Sequence, residues 1–103
     1  MIRAHEPDQL HAAAVKIHVP GPLRAYCGGA KTLTLSAVSV RSALDHLERV
    51  HPDLHRNVRD ETGAVRRHVN LFVNSNNIRD LAGLDTGLAE GDLLTILPAV
   101  SGG

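Results

Sequence analysis

The hydrophobic period of this chain switches from two to about 3.6 and back to two, and only one stretch is long enough for an amphipathic helix. Val15, Ile17 and Val19 alternate with Lys16, His18 and Pro20, and Leu33 and Leu35 alternate with Thr32, Thr34 and Ser36. Such alternation turns one face of a strand to a core and the other to water. The spacing becomes helical at Val40, Ala43, Leu44, Leu47 and Val50, with Ser39 placed as an N-cap and Pro52 ending the run. Val69, Leu71 and Val73 then alternate with Asn70, Phe72 and Asn74, which predicts a third strand. Asn76-Asn77 reads as a turn, with Ile78 in a short strand beyond it. Leu81, Leu84 and Leu88, interrupted by Gly83 and Gly87, suit a short irregular helical turn. Gly91-Asp92 leads into Leu93-Leu94-Thr95-Ile96-Leu97, apolar almost throughout, as a central strand should be.

The connections carry their own signals. Pro20, Gly21, Pro22, Gly28 and Gly29 make the stretch from Pro20 to Ala30 a long hairpin loop. Residues 52–67, with Asp53, Asn57, Asp60, Glu61 and Gly63 among scattered Arg and His, read as a polar connector. Arg41, Asp45 and Arg49 follow one another at steps of four, which predicts a surface ion-pair ladder along the helix. A sheet of four to five strands around one main helix buries every apolar stripe, so the fold class is α+β and a β-grasp is its economical form. Residues 1–13 show neither period and are expected to be a mobile leader; 14–98 form the domain and 99–103 a flexible tail.

Composition removes several functions. A chain of 103 residues supports one core, and with Tyr26 and Phe72 as its whole aromatic content that core rests on Leu, Val, Ile and Ala. Eleven basic residues balance eleven acidic ones, so there is neither the charge nor the stacking surface that nucleic-acid binding uses. The first 14 residues hold His5, Glu6, Asp8 and His11 and no apolar stretch for a signal peptide or membrane span. A lone Cys27 forms no intramolecular disulfide, and a cytoplasmic protein is expected. His51 and His55 have ligand-like spacing, but Pro52 breaks the helix that would align them, so no metal is expected. Nucleophile-elbow, Walker and dinucleotide glycine patterns are absent, and no catalytic residue is assigned. Cys27 reads as an incidental loop thiol.

The chain closes on Ile96-Leu97-Pro98-Ala99-Val100-Ser101-Gly102-Gly103. Two glycines without Cβ atoms can enter a slit closed to any side chain. Upstream stand Leu23-Arg24 and Gly28-Gly29, then Val73-Asn74, Ile78-Arg79, Leu84, Thr86, Leu88 and Gly91-Asp92. Together these residues resemble the MoaD/ThiS sulfur carriers, which share the β-grasp with ubiquitin, over about residues 15–103. The length of segment 52–67 and the Leu-Pro-Ala-Val-x-Gly-Gly ending look most like the actinobacterial carrier of cysteine biosynthesis. Asn74-Ser75-Asn76-Asn77 departs from the glycine or acidic residues often found there, and Ser101 stands where alanine or threonine is also common.

The resemblance implies that an adenylyltransferase of the ubiquitin-activating type, using ATP and Mg, activates the Gly103 carboxyl, and that a sulfur donor converts it to a thiocarboxylate. No cofactor is then bound by the chain itself. It further implies a sulfur-accepting synthase, cysteine-synthase-like or other, and a metallopeptidase that frees the product. Val100, Ser101, Gly102 and Gly103 are the residues expected inside a partner's active site. At about 3.3–3.6 Å per residue, the stretch from Pro98 to Gly103 reaches roughly 15–20 Å. Docking falls to the globule, where Phe72, an apolar residue on a nominally polar strand face, is either an interface anchor or covered by a helix or loop in a two-sided core, and Arg79 and Leu97 are the other interface candidates. Arg24 could meet acidic partner residues. A ubiquitin-like modifier, whose activated glycine is captured by a lysine amine, uses the same features; here only Lys16 and Lys31 could serve as acceptors within the chain.

Overall fold

A computed structural model describes residues 12–99. Residues 1–11 of the expected leader and the tail residues Val100, Ser101, Gly102 and Gly103 lie outside the described residues. Five strands form one mixed sheet: β1 (Ala13–His18), β2 (Thr32–Ala37), β3 (Val69–Val73), β4 (Asn76–Asn77) and β5 (Leu93–Pro98). Their order is β2-β1-β5-β3-β4, with β1 and β5 parallel at the centre and every other pair antiparallel. The first strand opens with Ala13 paired to Ala37.

The period-two stripes become the core face of the sheet. Val15, Ile17, Leu71, Val73, Leu94 and Ile96 are buried, together with Val40, Ala43, Leu44 and Leu47 of helix α1 (Val40–Val50). Ser39 caps α1 as the sequence predicts: its hydroxyl accepts from the Ser42 N–H, while the Ser42 hydroxyl accepts from the Ser39 N–H. The ladder along α1 does not form. Arg41 bonds Asp85 at 3.0 Å and Asp45 accepts from Arg59 at 2.9 Å, because partners outside the helix present themselves at better range.

Three connections differ from expectation. The loop after β1 is a 3-10 segment, Gly21–Cys27, ended by Gly28 at φ 71, a left-handed position natural to glycine. The β3–β4 turn is Asn74-Ser75, not Asn76-Asn77, and Ile78 starts a 3-10 turn, Ile78–Asp80, rather than lying in a strand. Asn74 accepts φ 55, which asparagine tolerates. Its side chain donates to Asp92 Oδ1 and accepts from the Leu93 N–H, clipping the hairpin to the Gly91-Asp92 turn.

The largest correction is segment 52–67. It contains a short helix, α2 (Pro52–Arg56), with Pro52 at its first turn where no N–H is needed. Leu54 and Val58 are wholly buried, and Arg59 and His55 are buried with them. Beyond it, Asp60 accepts from the Thr62 hydroxyl and from the Thr62 and Ala64 N–H groups, and this pulls its carboxyl below the usual range. Leu54 and Val58 join the segment to the core while most of its other side chains stay at the surface, so it is more than the polar connector expected.

Candidate functional site

With the helices on one face of the sheet, the opposite face stays open. Its outward residues come from the polar phase of each strand: Lys16 and His18 on β1, Leu93, Thr95 and Leu97 on β5, Asn70 and Phe72 on β3. Register places them in rows. Phe72 and His18 both flank Thr95, Asn70 flanks Leu97 and Lys16 flanks Leu93. Phe72 is half-buried and stands outside the core cluster, so no helix covers it. Leu97 is 49% exposed and Leu93 37%, on the strand that runs into the tail. An aromatic and two leucines on one open face make an apolar strip of the kind that marks interaction surfaces.

The tail leaves from a fixed root. Pro98 is in register with Val69, and the Ala99 N–H donates to the His68 carbonyl at 2.5 Å. On one side of that root, Arg79 Nη1 donates to Asn70 Oδ1 at 2.6 Å, and Nη2 reaches the Val69 carbonyl at 3.4 Å. The guanidinium is thus held beside Leu97 by the strand that pairs with it. His68, which holds the root, also lines an open cleft with Tyr26, Asp53, Arg56, Asn57 and Arg66. The predicted anchors Phe72 and Leu97 therefore lie on one face, Phe72 opposite Thr95 and Leu97 opposite the Asn70 that holds Arg79, and the strand carrying Leu97 ends at residue 98.

Other candidates resolve differently. Arg24 is held within the chain, its Nε donating to the Val19 carbonyl at 2.9 Å. Cys27 is buried, with Sγ 3.5 Å from the carbonyls of Arg24 and Ala30, so it is a packing residue rather than a loop thiol. Among the described residues no group of three or more His, Cys, Asp or Glu side chains is placed to hold a metal. His55 instead accepts a hydrogen bond from Arg59 Nε at 2.7 Å through its Nε2. Burial first, and the Arg59 cation second, push its imidazole below the ordinary range. Sequence reasoning missed this pair, although Leu54 with Val58 and His55 with Arg59 are both spaced by four.

A model of the ThiS family matches residues 17–103. The chain belongs to the ThiS family. This family member is 35% identical over 91 residues to the sulfur carrier protein CysO of Mycobacterium tuberculosis, covering 86% of the chain and 98% of that protein. The crystal structure of that CysO superposes with a TM-score of 0.77, covering 84% of this chain and 99% of the other. The CysO of Amycolatopsis orientalis, solved as a complex with BexX, gives a TM-score of 0.77 at 36% identity, covering 87% and 100%. The small archaeal modifier protein 1 of Methanosarcina acetivorans gives 0.80 at 34% identity, covering 90% and 99%. The fold is the ubiquitin-like β-grasp that the sequence predicted. Several motif residues of the family have structural duties here. Asn74 and Asp92 meet across the turn, Ile78 and Leu88 are buried, and the Thr86 hydroxyl accepts from the Ala82 N–H. Among the described residues no helix is long and apolar enough to cross a membrane.

Proposed function

We propose that this chain is a stoichiometric sulfur carrier whose Gly103 carboxyl is adenylylated and then converted to a thiocarboxylate. The observation that carries this reading is the family match running through residue 103, with 35% identity to a sulfur carrier over nearly the whole of that relative. In the activating step a carboxylate oxygen of Gly103 attacks the α-phosphorus of ATP, pyrophosphate leaves, and an acyl-adenylate forms on the partner adenylyltransferase with its Mg. A sulfur donor of persulfide or sulfide class then attacks that carbonyl and AMP leaves; a persulfide-bound intermediate is released by a thiol reductant. A thiocarboxylic acid is more acidic than an alkyl thiol, so the anion that acts as nucleophile is present at neutral pH without a neighbouring base. The globule's task is to be recognised, and the open face of Phe72, Leu97 and Arg79 is suited to it. The cytoplasm is the compartment we assign.

Similarity to CysO favours a cysteine-synthase-like acceptor, with a metallopeptidase releasing the product, over the molybdopterin, thiamine or other sulfur destinations of the same chemistry. Intact mass spectrometry of the protein purified from its native cell tests the carrier chemistry. Exchange of one oxygen for sulfur is expected, and fragmentation should localise it to the C-terminal peptide. An unchanged C-terminus under sulfur demand would overturn the reading. The similarity to an archaeal modifier supports a second outcome, in which lysine conjugates joined through Gly103 accumulate instead.

A further inference from the structure

Among the described residues, one long edge of the sheet is left unpaired. The outer strands are β2, six residues long, and β4, two residues long. A two-residue edge offers little to pair with, whereas a longer uncharged edge is a template for another strand. Which groups β2 turns outward follows from the bonding of β1. The Ala14 carbonyl accepts from the Gly91 N–H and the Lys16 N–H donates to the Asp92 carbonyl, both toward β5, while the Val19 N–H donates to the Lys31 carbonyl. Val15 and Ile17 therefore exchange bonds with their partners Leu35 and Leu33. The N–H and C=O groups of Thr32, Thr34 and Ser36 point away from the sheet. Among the described residues the one group that reaches them is His46 Nδ1, 3.3 Å from the Ser36 carbonyl, which keeps a second lone pair. Between Thr32 and Ala37 there is no charge, no proline and no break in the pairing with β1, so the edge lacks the features that block strand addition. Charge beside it is mixed: Lys31 precedes the strand, and Arg49 and Asp45 of α1 share a cleft with Ser36 and Ala37. His46 and Val50 are four residues apart on α1 and share its flank. With His46 at Ser36, that flank faces the edge, and Val50 on it is 50% exposed.

We infer that β2 pairs antiparallel with β2 of a second copy of this chain, about a twofold axis at Thr34. The run Thr32-Leu33-Thr34-Leu35-Ser36 reads nearly the same in both directions. Antiparallel pairing about its centre sets like against like: Thr34 opposite Thr34 of the second copy, Leu33 opposite Leu35, and Thr32 opposite Ser36. Lys31 falls opposite the uncharged Ala37. Threonine and serine pairs across strands stabilise through their hydroxyls, so the edge is complementary to itself in side chains as well as backbone. A slip of two residues, the smallest that keeps each side chain on its face, sets Lys31 opposite Leu35 or Thr32 opposite Val38. The pairing joins two sheets into one and brings the Val50 flanks toward the same seam. So short an edge falls short of the roughly 1,200 Å² of a standard stable interface, and the dimer is weak and concentration-dependent. β1 separates β2 from β5, so the strip of Phe72 and Leu97 and the root of the tail stay uncovered. The pairing does not depend on the sulfur chemistry.

Sedimentation equilibrium of the full-length chain at low salt, from about 10 µM to about 1 mM, covers the range of weak association and tests the pairing. The weight-average mass should climb toward twice that of the monomer. Thr32→Glu/Ser36→Glu sets like charges opposite each other on both sides of the axis and should weaken association at least tenfold. Thr32→Lys/Ser36→Glu sets opposite charges in the same places and should retain it. Both positions are exposed, and circular dichroism checks that the variants fold. If either does not, amide hydrogen exchange of the wild-type chain replaces them, with Thr32, Thr34 and Ser36 gaining protection as concentration rises. A wild-type mass that stays at the monomer value to the top of the range would overturn the pairing. Equal association of the two folded variants would overturn it too, by moving the contact to another face or register. Protection of these three amides that is independent of concentration would assign the edge to another segment of the same chain, with the same consequence.

Discussion

At the residue scale, His55 shows how a polar side chain is admitted to an aromatic-poor core. Its Nε2 accepts from Arg59 Nε, so the ring is neutral with its proton on Nδ1, and Arg59 Nη2 donates onward to Asp45 at 2.9 Å with Glu48 Oε1 at 3.8 Å. The buried guanidinium thus keeps partners at both ends, as a buried charge must. Burial, Arg59 and Arg56 all disfavour imidazolium; Glu48 and Asp45 oppose them, and the net shift is downward from 6.5. Above pH 6.5 both folded and unfolded states hold His55 neutral, and its contribution to stability is complete. As pH falls below 6.5 the unfolded chain takes up the proton first, so stability declines until the lowered folded value is passed. The slope from this one group is at most about 1.4 kcal/mol per pH unit. His55→Gln, whose side-chain carbonyl can still accept from Arg59, should flatten that decline. Urea midpoints measured from pH 7.5 downward check it, and an unaltered pH profile in the variant would show that His55 is not the titrating group.

At the element scale, β1, β2, β3 and α1 were legible because each has one wet face and one dry one, and alternation or helical spacing records that difference directly; β5 showed as an apolar run, and β4 was read as a turn. On the open face only Phe72 was legible, as a break in the polar phase of β3; β5 reads as apolar on both faces, so the exposure of Leu93 and Leu97 was not. Segment 52–67 was not legible. Leu54 and Val58 are its only wholly buried apolar side chains, surrounded by Arg, His and Asp whose charges pair with one another or with α1. A short helix offers too few turns for a period to stand out, and a buried His–Arg pair reads as polar in any window. The Asn74-Ser75 turn was missed by two residues because four polar residues in a row carry no alternation, and the register of β3 with β4 sets the turn instead. The buried role of this segment has a measurable consequence. Leu54→Ala should destabilise the fold by about 2–5 kcal/mol, the range for a leucine removed from a packed core. A surface connector would lose less than about 0.5 kcal/mol. Equilibrium urea unfolding separates the two values.

At the scale of the whole molecule, the parallel pairing of β1 with β5 decides where the tail emerges. β5 enters the sheet from the Gly91-Asp92 turn, is flanked by β1 and β3, and ends at Pro98 opposite Val69, so its last residues leave from the end of the sheet where β3 begins. Ala99 makes the last described backbone bond, to His68, and among the described residues the core contains none beyond Ile96. Under the carrier chemistry proposed above, the fold and the reactive end are separable, which sets a sharp expectation. Removing Gly103 should leave the unfolding midpoint and the amide spectrum of residues 12–99 unchanged while abolishing sulfur loading. Adding one alanine after Gly103 should do the same, because the acyl carbon is then displaced by a residue that carries a Cβ. Both are read by intact mass of protein recovered from the native cell beside wild type, with the added alanine confirmed to remain. Sulfur on either variant would mean that the terminal carboxyl of Gly103 is not the carrier group, whatever the family resemblance implies.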